Sequence, residues 1–208
     1  MIQVVVPASF GGRVADRKLR GDTMAMRVEP TPHLVRAEEL PGISIPGKSI
    51  ELVRGVLVVR EPPSTRHGRV SARLSYLVSE WVYRHDLGAV IQDAGFEIES
   101  DPDTVRAPDV AFVSRSRVDE IPPTGFARFA PDLAVEVIWP NDRPGELLAK
   151  VGQLLDAGSK LVWVVDPSRA HAVVYRETGD VSIVGAAGSL DGETVLPGFS
   201  CPLADVFR

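Results

Sequence analysis

The spacing of hydrophobic residues becomes regular only after residue 48. Residues 50–61 form two stretches rich in β-formers, IELV and VLVVRE, on either side of an Arg-Gly pair, and this pattern predicts a β-hairpin with a tight turn. In residues 66–86 the apolar side chains recur at helical spacing before a closing Leu-Gly pair, which predicts an amphipathic helix. Residues 1–48 show no sustained period and are rich in Pro and Gly, so we expect a peripheral N-terminal arm.

Short strands are predicted after the long helix. Residues 89–92, 95–100 and 105–113 are rich in β-formers, and the last of these stretches reads VRAPDVAFV. The segment DLAVEVI, residues 132–138, predicts a further strand. KLVWVVD, residues 160–166, is apolar throughout, as expected for a strand that is covered on both faces.

A second helix is predicted between the last two of these strands. Asn141 or Asp142 can cap its N-terminus, Pro144 suits its first turn, and Gly158 ends it. Near the C-terminus the pattern predicts a hairpin and then a turn with a short helix. The order of all these elements predicts a mixed β-sheet flanked by helices, with additional hairpins, in the α/β or α+β class.

Composition indicates one globular domain, which we place at residues 49–208. The chain of 208 residues is 44% hydrophobic and 25% charged, enough to bury a core. Its one cysteine, Cys201, cannot form an internal disulfide, and no apolar run is long enough to span a bilayer. We therefore expect a cytoplasmic protein without a membrane partner.

Charge and motifs exclude several classes of function. The net charge of −5 argues against a protein that coats nucleic acid, although a local basic groove is compatible with it. The sequence contains no P-loop, G-x-S-x-G, H-E-x-x-H or paired C-x-x-C motif, so the common nucleotide hydrolases, serine hydrolases, zinc proteases and zinc ribbons are not indicated.

Three acidic residues occur within strand-like stretches, namely Asp109, Asp132 and Glu136. Alternation along a strand puts Asp132 and Glu136 on the same face, but Asp132 follows a proline at the strand entry, where a turn or cap role is expected. Carboxylates from neighbouring strands form an oxygen site that suits Mg²⁺ or Mn²⁺. On spacing alone, an ion pair with arginine is the favoured explanation of a buried acid, and Arg106 lies three residues before Asp109.

The order of several short motifs extends this picture. ELVRGVLV, PPSTRHGRV, DTVRAPDVAFV, APDLAVEVIWPND, VWVVDP and LPGFSCPLADVF follow one another from about Ile50 to Phe207. In this order they resemble the bacterial putative restriction endonuclease family, whose core is the PD-(D/E)XK nuclease fold. The resemblance implies a restriction-endonuclease-like fold and a metal-dependent endonuclease that cuts DNA with Mg²⁺ or Mn²⁺, and a homodimer is compatible with it.

The resemblance also implies roles for single residues. Asp109 and Glu136 would bind the metal together with the main-chain carbonyl of Val137. The lysine that nucleases of this type carry two residues after the glutamate is absent, because that position is Ile138. In the family a lysine of the following helix replaces it, and Lys150 matches that position. At the border of an apolar stripe, such a lysine can also be a surface residue whose stem packs on apolar neighbours.

Two further residues are candidate accessory groups, and Glu51 matches an acidic position of the family. Glu51 would act through a metal-bound water, and the alternative for it is an exposed acid at a strand end. His67, at the start of the long helix, would line the cleft, and the alternative is a capping or solvent-exposed histidine. The acidic net charge and the missing lysine at position 138 keep a second function open, a catalytically silent nuclease-like binding or partner module.

Overall fold

The computed structural model describes residues 2–4, 33–139 and 142–208. Most of the predicted arm, residues 5–32, and the predicted cap Asn141 lie outside the described residues. The helices are α1 (Thr65–Arg84), α2 (Pro144–Asp156) and α3 (Leu203–Phe207), with 3₁₀ helices at Ala37–Gly42 and Arg115–Glu120. The mixed α+β class expected from the sequence is confirmed.

The described strands form three sheets. The strands are β1 (Ile2–Val4), β2 (Ser49–Val53), β3 (Val56–Arg60), β4 (Gly88–Gln92), β5 (Phe96–Glu99), β6 (Thr104–Arg106), β7 (Val110–Ser114), β8 (Leu133–Val137), β9 (Leu161–Asp166), β10 (His171–Arg176), β11 (Val181–Val184), β12 (Ser189–Asp191) and β13 (Ser200–Pro202). A five-stranded sheet has the order β1-β3-β2-β6-β5, a six-stranded sheet the order β11-β10-β9-β8-β7-β4, and β12 pairs with β13. In the six-stranded sheet β8 and β9 are parallel, and the other neighbours are antiparallel.

The two faces of the six-stranded sheet are covered by different helices. On one face Val135 of β8 belongs to the same buried cluster as Leu74 of α1. On the other face Ala134 of β8 packs in a cluster with Val151 and Leu154 of α2. Since side chains alternate along a strand, Glu136 shares the α2 face with Ala134, so a charged side chain points toward the helix that carries Lys150.

The stretch VRAPDVAFV is two strands, and the prediction of one strand was wrong. β6 ends at Arg106 and pairs with β2 and β5, whereas β7 begins at Val110 and pairs with β4 and β8. The three residues between them carry the chain from one sheet to the other. Pro108 has no N–H for a strand ladder, which suits this break. Asp109 therefore lies at the junction of two sheets rather than within a strand.

The start of α2 also differs from the predicted cap. Arg143 is the N-cap residue and its side chain makes no capping hydrogen bond. Asp142 instead accepts a hydrogen bond from the Trp139 main-chain N–H at 2.8 Å, within the loop before the helix. Pro144 occupies the first turn as expected, and Gly158, with φ of +103°, follows the helix.

Residues before position 48 contribute to a small core of their own. Val35, Ala37 and Leu40 are buried against Leu52 and Leu57 of the β2–β3 hairpin. In addition, β1 pairs with β3 at the edge of the five-stranded sheet. The domain boundary at residues 48 and 49 stays a prediction. None of the helices in the described part of the chain has the length and hydrophobicity needed to cross a membrane.

Candidate active site

Residues of both large sheets and of helices α1 and α2 line one cleft of about 870 Å³. All six residues predicted for the site line it, namely Glu51, His67, Asp109, Glu136, Val137 and Lys150. The five-stranded sheet contributes Glu51, the sheet junction contributes Asp109, and β8 contributes Glu136. Residues up to 99 positions apart in sequence therefore meet at one place.

Lys150 is at the centre of the polar wall of this cleft. Its side chain is only 2% exposed, and its Nζ lies 2.8 Å from Glu136 Oε1 and 2.8 Å from Glu51 Oε1. The same ammonium donates a hydrogen bond to the Ala107 carbonyl at 2.8 Å. The alternative of an exposed surface lysine is therefore wrong, because the Lys150 side chain is buried between α2 and the junction of the two sheets.

Glu51 is a buried acceptor that holds several groups together. Its carboxylate accepts hydrogen bonds from the Ala107 N–H and from Arg106 Nη1, each at 2.9 Å, and lies 3.4 Å from Arg60 Nη2. Burial acts to raise the pKa of Glu51, but the positive charges of Lys150, Arg60 and Arg106 outweigh it and lower the pKa to about 2. Glu51 is therefore ionised, and the alternative of an exposed acid is wrong.

Glu136 lies in a less favourable electrostatic environment. Burial raises its pKa to about 7, because the attraction of Lys150 is opposed by the like charges of Asp109 and Glu51. Its Oε2 accepts a hydrogen bond from Lys150 at 2.9 Å, and its buried Oε1 lies 2.8 Å from the same ammonium. Both oxygens of the Glu136 carboxylate therefore contact one ammonium group.

Asp109 is held by a main-chain amide and a histidine. Its Oδ2 accepts a hydrogen bond from the Val137 N–H at 2.6 Å and lies 3.3 Å from His67 Nε2. Burial acts to lower the pKa of His67, but its hydrogen bond to Asp109 and the charges of Asp109 and Asp142 raise it. His67 therefore lies in the cleft, and the capping group at the start of α1 is Ser64, whose Oγ accepts from the His67 main-chain N–H.

The expected pairing of Arg106 with Asp109 is wrong. Arg106 is directed to Glu51, and its Nε and Nη2 donate to Gln153 Oε1 of α2 at 2.8 and 2.6 Å. Asp132 does not line the cleft. It lies just before β8, next to the end of β7, and accepts a hydrogen bond from the Ser114 N–H at 2.9 Å.

The sequence interpretation missed two contributors to the site, Arg60 and Gln153. A signal for Arg60 was available in the hairpin register, since Ser49 opposes Arg60 and Glu51 opposes Val58, so Arg60 and Glu51 share a face. No comparable signal existed for Gln153. It is a polar residue of α2 whose role depends on the position of β6 against that helix.

The donor groups of the cleft fit a hard divalent cation. In residues 2–4, 33–139 and 142–208, no three His, Cys, Asp or Glu side chains converge as a complete metal cage. Mg²⁺, however, is commonly bound through one or two carboxylates and keeps several waters. Asp109, Glu136 and the main-chain carbonyl of Val137 are oxygen groups of this kind, and all three residues line the cleft.

Comparison with known families identifies the family of the chain. The family model described as "Uma2: Putative restriction endonuclease" matches residues 36–204. The chain belongs to the Uma2 family. Membership supports a nuclease function for the protein, and the match spans the positions of all candidate site residues. It also begins before residue 48, so part of the segment that we treated as outside the resemblance lies within the family.

A solved structure has the same fold. The chain superimposes with a TM-score of 0.72 on the crystal structure of a putative nuclease belonging to DUF820 from Anabaena variabilis, at 15% sequence identity. The match covers 83% of this chain and 97% of that one. At this identity the likeness concerns the fold alone. No curated protein matches the Uma2 chain significantly.

Proposed function

We propose that this Uma2 protein is a Mg²⁺-dependent DNA endonuclease that hydrolyses phosphodiester bonds at a PD-(D/E)XK-type site. The observation that carries the proposal is the contact between Lys150 and Glu136. A helix-borne lysine, 2% exposed, reaches the β8 glutamate at 2.8 Å. It therefore supplies the cation that the strand itself lacks at Ile138.

In this proposal Asp109, Glu136 and the Val137 carbonyl would hold the metal. When bound, Mg²⁺ supplies a Lewis acid for the scissile phosphate and lowers the pKa of a coordinated water. The protein's own part is orientation. The Val137 N–H and His67 both contact the Asp109 carboxylate. These contacts fix the orientation of the carboxylate before a metal binds.

Lys150 would act as a cation and hydrogen-bond donor, not as a base. Burial acts to lower its pKa, but the charges of Glu136 and Glu51 outweigh that effect and raise the pKa. The ammonium therefore keeps its proton near neutral pH. In that state it can offset negative charge that develops on a phosphate next to Glu136.

A DNA-cleavage assay on plasmid and on circular single-stranded DNA tests the proposal. Wild-type protein should cut at least one of the two in Mg²⁺ or Mn²⁺ but not in EDTA, and Asp109→Ala and Glu136→Ala should abolish this nicking. Asp119→Ala is a matched control, because Asp119 is an exposed acid outside the cleft. Equal residual nicking in all samples would mean that a contaminant is responsible and that the proposal is wrong.

A second candidate function is a catalytically silent nuclease-like binding module. The observation that favours it is that Glu136 is already engaged by Lys150 and that the described residues lack a three-ligand cluster. Isothermal titration separates the two functions. Mn²⁺ uptake that disappears in Asp109→Ala supports the nuclease, whereas no uptake by the wild-type protein supports the silent module.

A further inference from the structure

The charge of the cleft limits which form of DNA it can accept. Seven carboxylates and three cationic side chains line it, the cations being Lys48, Arg60 and Lys150. Each cation already has a carboxylate partner, since Lys48 pairs with Glu61, Arg60 with Glu51 and Lys150 with Glu136. Duplex DNA is bound chiefly by lysine and arginine that neutralise many phosphates. In the described part of the chain, the lining residues include no lysine or arginine that is free of a carboxylate partner and could neutralise a row of phosphates.

Most of the other lining residues of the cleft are apolar, and two of them are partly buried aromatic residues, Phe126 and Trp139. Gly95 provides the space for the first ring, because a Cβ at that position would lie 2.7 Å from Phe126 Cε1. Trp139 is two residues beyond Val137, and its main-chain N–H is fixed to Asp142. Two aromatic side chains therefore line the same cleft as the carboxylates.

A nucleobase is the uncharged, flat part of a nucleic acid that suits an apolar and aromatic wall. In a duplex both faces of a base are covered by its neighbours, so only an unpaired nucleotide can place a base there. The cleft volume of about 870 Å³ lies in the range of pockets that enclose one small ligand. A single phosphate beside a divalent cation is compatible with an acidic wall, whereas a run of phosphates is repelled by it.

We propose that the cleft binds one unpaired nucleotide of single-stranded DNA, with its base against Trp139 and Phe126 and its phosphate toward Asp109 and Glu136. This inference rests on the proposed nuclease function, because that function gives the phosphate its position. It adds the class of substrate, and it assigns Trp139 as the base-stacking residue.

Tryptophan fluorescence tests the base position independently of cleavage. The chain has three tryptophans, but Trp163 is fully buried and Trp81 packs on Phe199 outside the cleft lining. Titration of the full-length protein with oligothymidylate in Ca²⁺, with the oligonucleotide checked for cleavage, should quench the emission. Trp139→Phe should abolish the quenching while fluorescence anisotropy still shows binding.

Affinity should depend on the aromatic wall. We expect Trp139→Ala to weaken oligothymidylate binding about tenfold, the typical effect of losing one stacked base. The control is Tyr83→Ala, which removes an aromatic side chain that is 62% exposed on α1, outside the cleft lining. Duplex of the same length should bind at least about tenfold more weakly.

The outcomes separate this inference from the proposed function. Equal affinity for duplex and single-stranded DNA overturns the single-strand inference, and so does unchanged binding by Trp139→Ala. In either case, Mg²⁺-dependent nicking of duplex plasmid would still support the nuclease proposal. Conversely, Trp139-dependent quenching without cleavage of any DNA in Mg²⁺ or Mn²⁺ supports the base position and contradicts the nuclease.

Discussion

At the scale of single residues, the cleft places several charged side chains at buried positions, where an unpaired charge lowers the stability of the fold. Glu51, Glu136 and Lys150 are 3%, 5% and 2% exposed, and one ammonium serves both carboxylates. Such an arrangement is stable only while the charges are paired, since an isolated buried ion is strongly destabilising. The site residues therefore affect folding as well as any chemistry.

Replacing Lys150 by Met should reduce both stability and nicking. The substitution keeps a similar volume but leaves two buried carboxylates without their shared cation, so we expect a loss of about 3 kcal/mol in the free energy of unfolding. Urea unfolding at pH 8 measures this loss. The double variant Lys150→Met with Glu136→Gln should recover part of it, and no recovery would show that charge is not the cause.

Asp132 should be important for stability and irrelevant to nicking. Its side chain is 1% exposed and lies 3.1 Å from Lys160 Nζ and 3.4 Å from Arg117 Nη1. Burial acts to raise the pKa of Asp132, but the Ser114 N–H and these cations lower it. Asp132→Ala should lower the free energy of unfolding by about 2 kcal/mol with an unchanged nicking rate on folded protein. A large loss of nicking would place Asp132 in the site.

At the scale of elements, α2 determines where Lys150 lies. The helix is amphipathic, and Val151 and Leu154 anchor it on the six-stranded sheet beside Ala134. Residues beside this face are in solvent, and Leu148, one turn before Val151, is 53% exposed. The packing of one face thus fixes the rotation of the helix, and this rotation directs Lys150 inward.

Two leucines of α2 should respond differently to truncation. Leu154→Ala removes a fully buried side chain and should lower the free energy of unfolding by about 3 kcal/mol. Leu148→Ala on the exposed side should change it by less than about 0.5 kcal/mol. Thermal or urea unfolding measures both variants. Similar losses for the two would mean that α2 is not anchored by the face described above.

At the scale of the whole molecule, pH should change stability through Glu136. Its carboxyl titrates near 4.5 when exposed and at about 7 in the folded protein. Between these values the folded state binds more protons than the unfolded state, so the free energy of unfolding decreases as pH rises. Above pH 7, Glu136 is ionised in both states, and the free energy of unfolding stays lowered by the full amount.

Glu136→Gln should therefore stabilise the metal-free protein at high pH. In EDTA at pH 8 we expect a gain of up to about 3 kcal/mol, following from the shift in pKa, and this gain should vanish below pH 4.5. The exposed Glu177→Gln serves as a control. A gain that is the same at pH 4 and pH 8 would contradict the raised pKa of Glu136.

Local pattern was sufficient for most elements. The β2–β3 hairpin, α1 and β9 follow the sequence closely, because turn chemistry and hydrophobic period are local properties. The division at Pro108 and the three separate sheets were not predicted. They depend on which distant strands pair, such as β6 with β2, and periodicity carries no information on that choice.

By itself, the sequence determined the class of the fold, the alternation that gives Glu136 its face, and the set of residues that matched a nuclease family. Their roles in catalysis stay predictions. Only the tertiary structure decided that Lys150 is buried against Glu136 and that Arg106 pairs with Glu51 rather than Asp109. The physical reason is that ion pairing and burial depend on long-range packing of helix against sheet, whereas the sequence pattern specifies only each element's own faces.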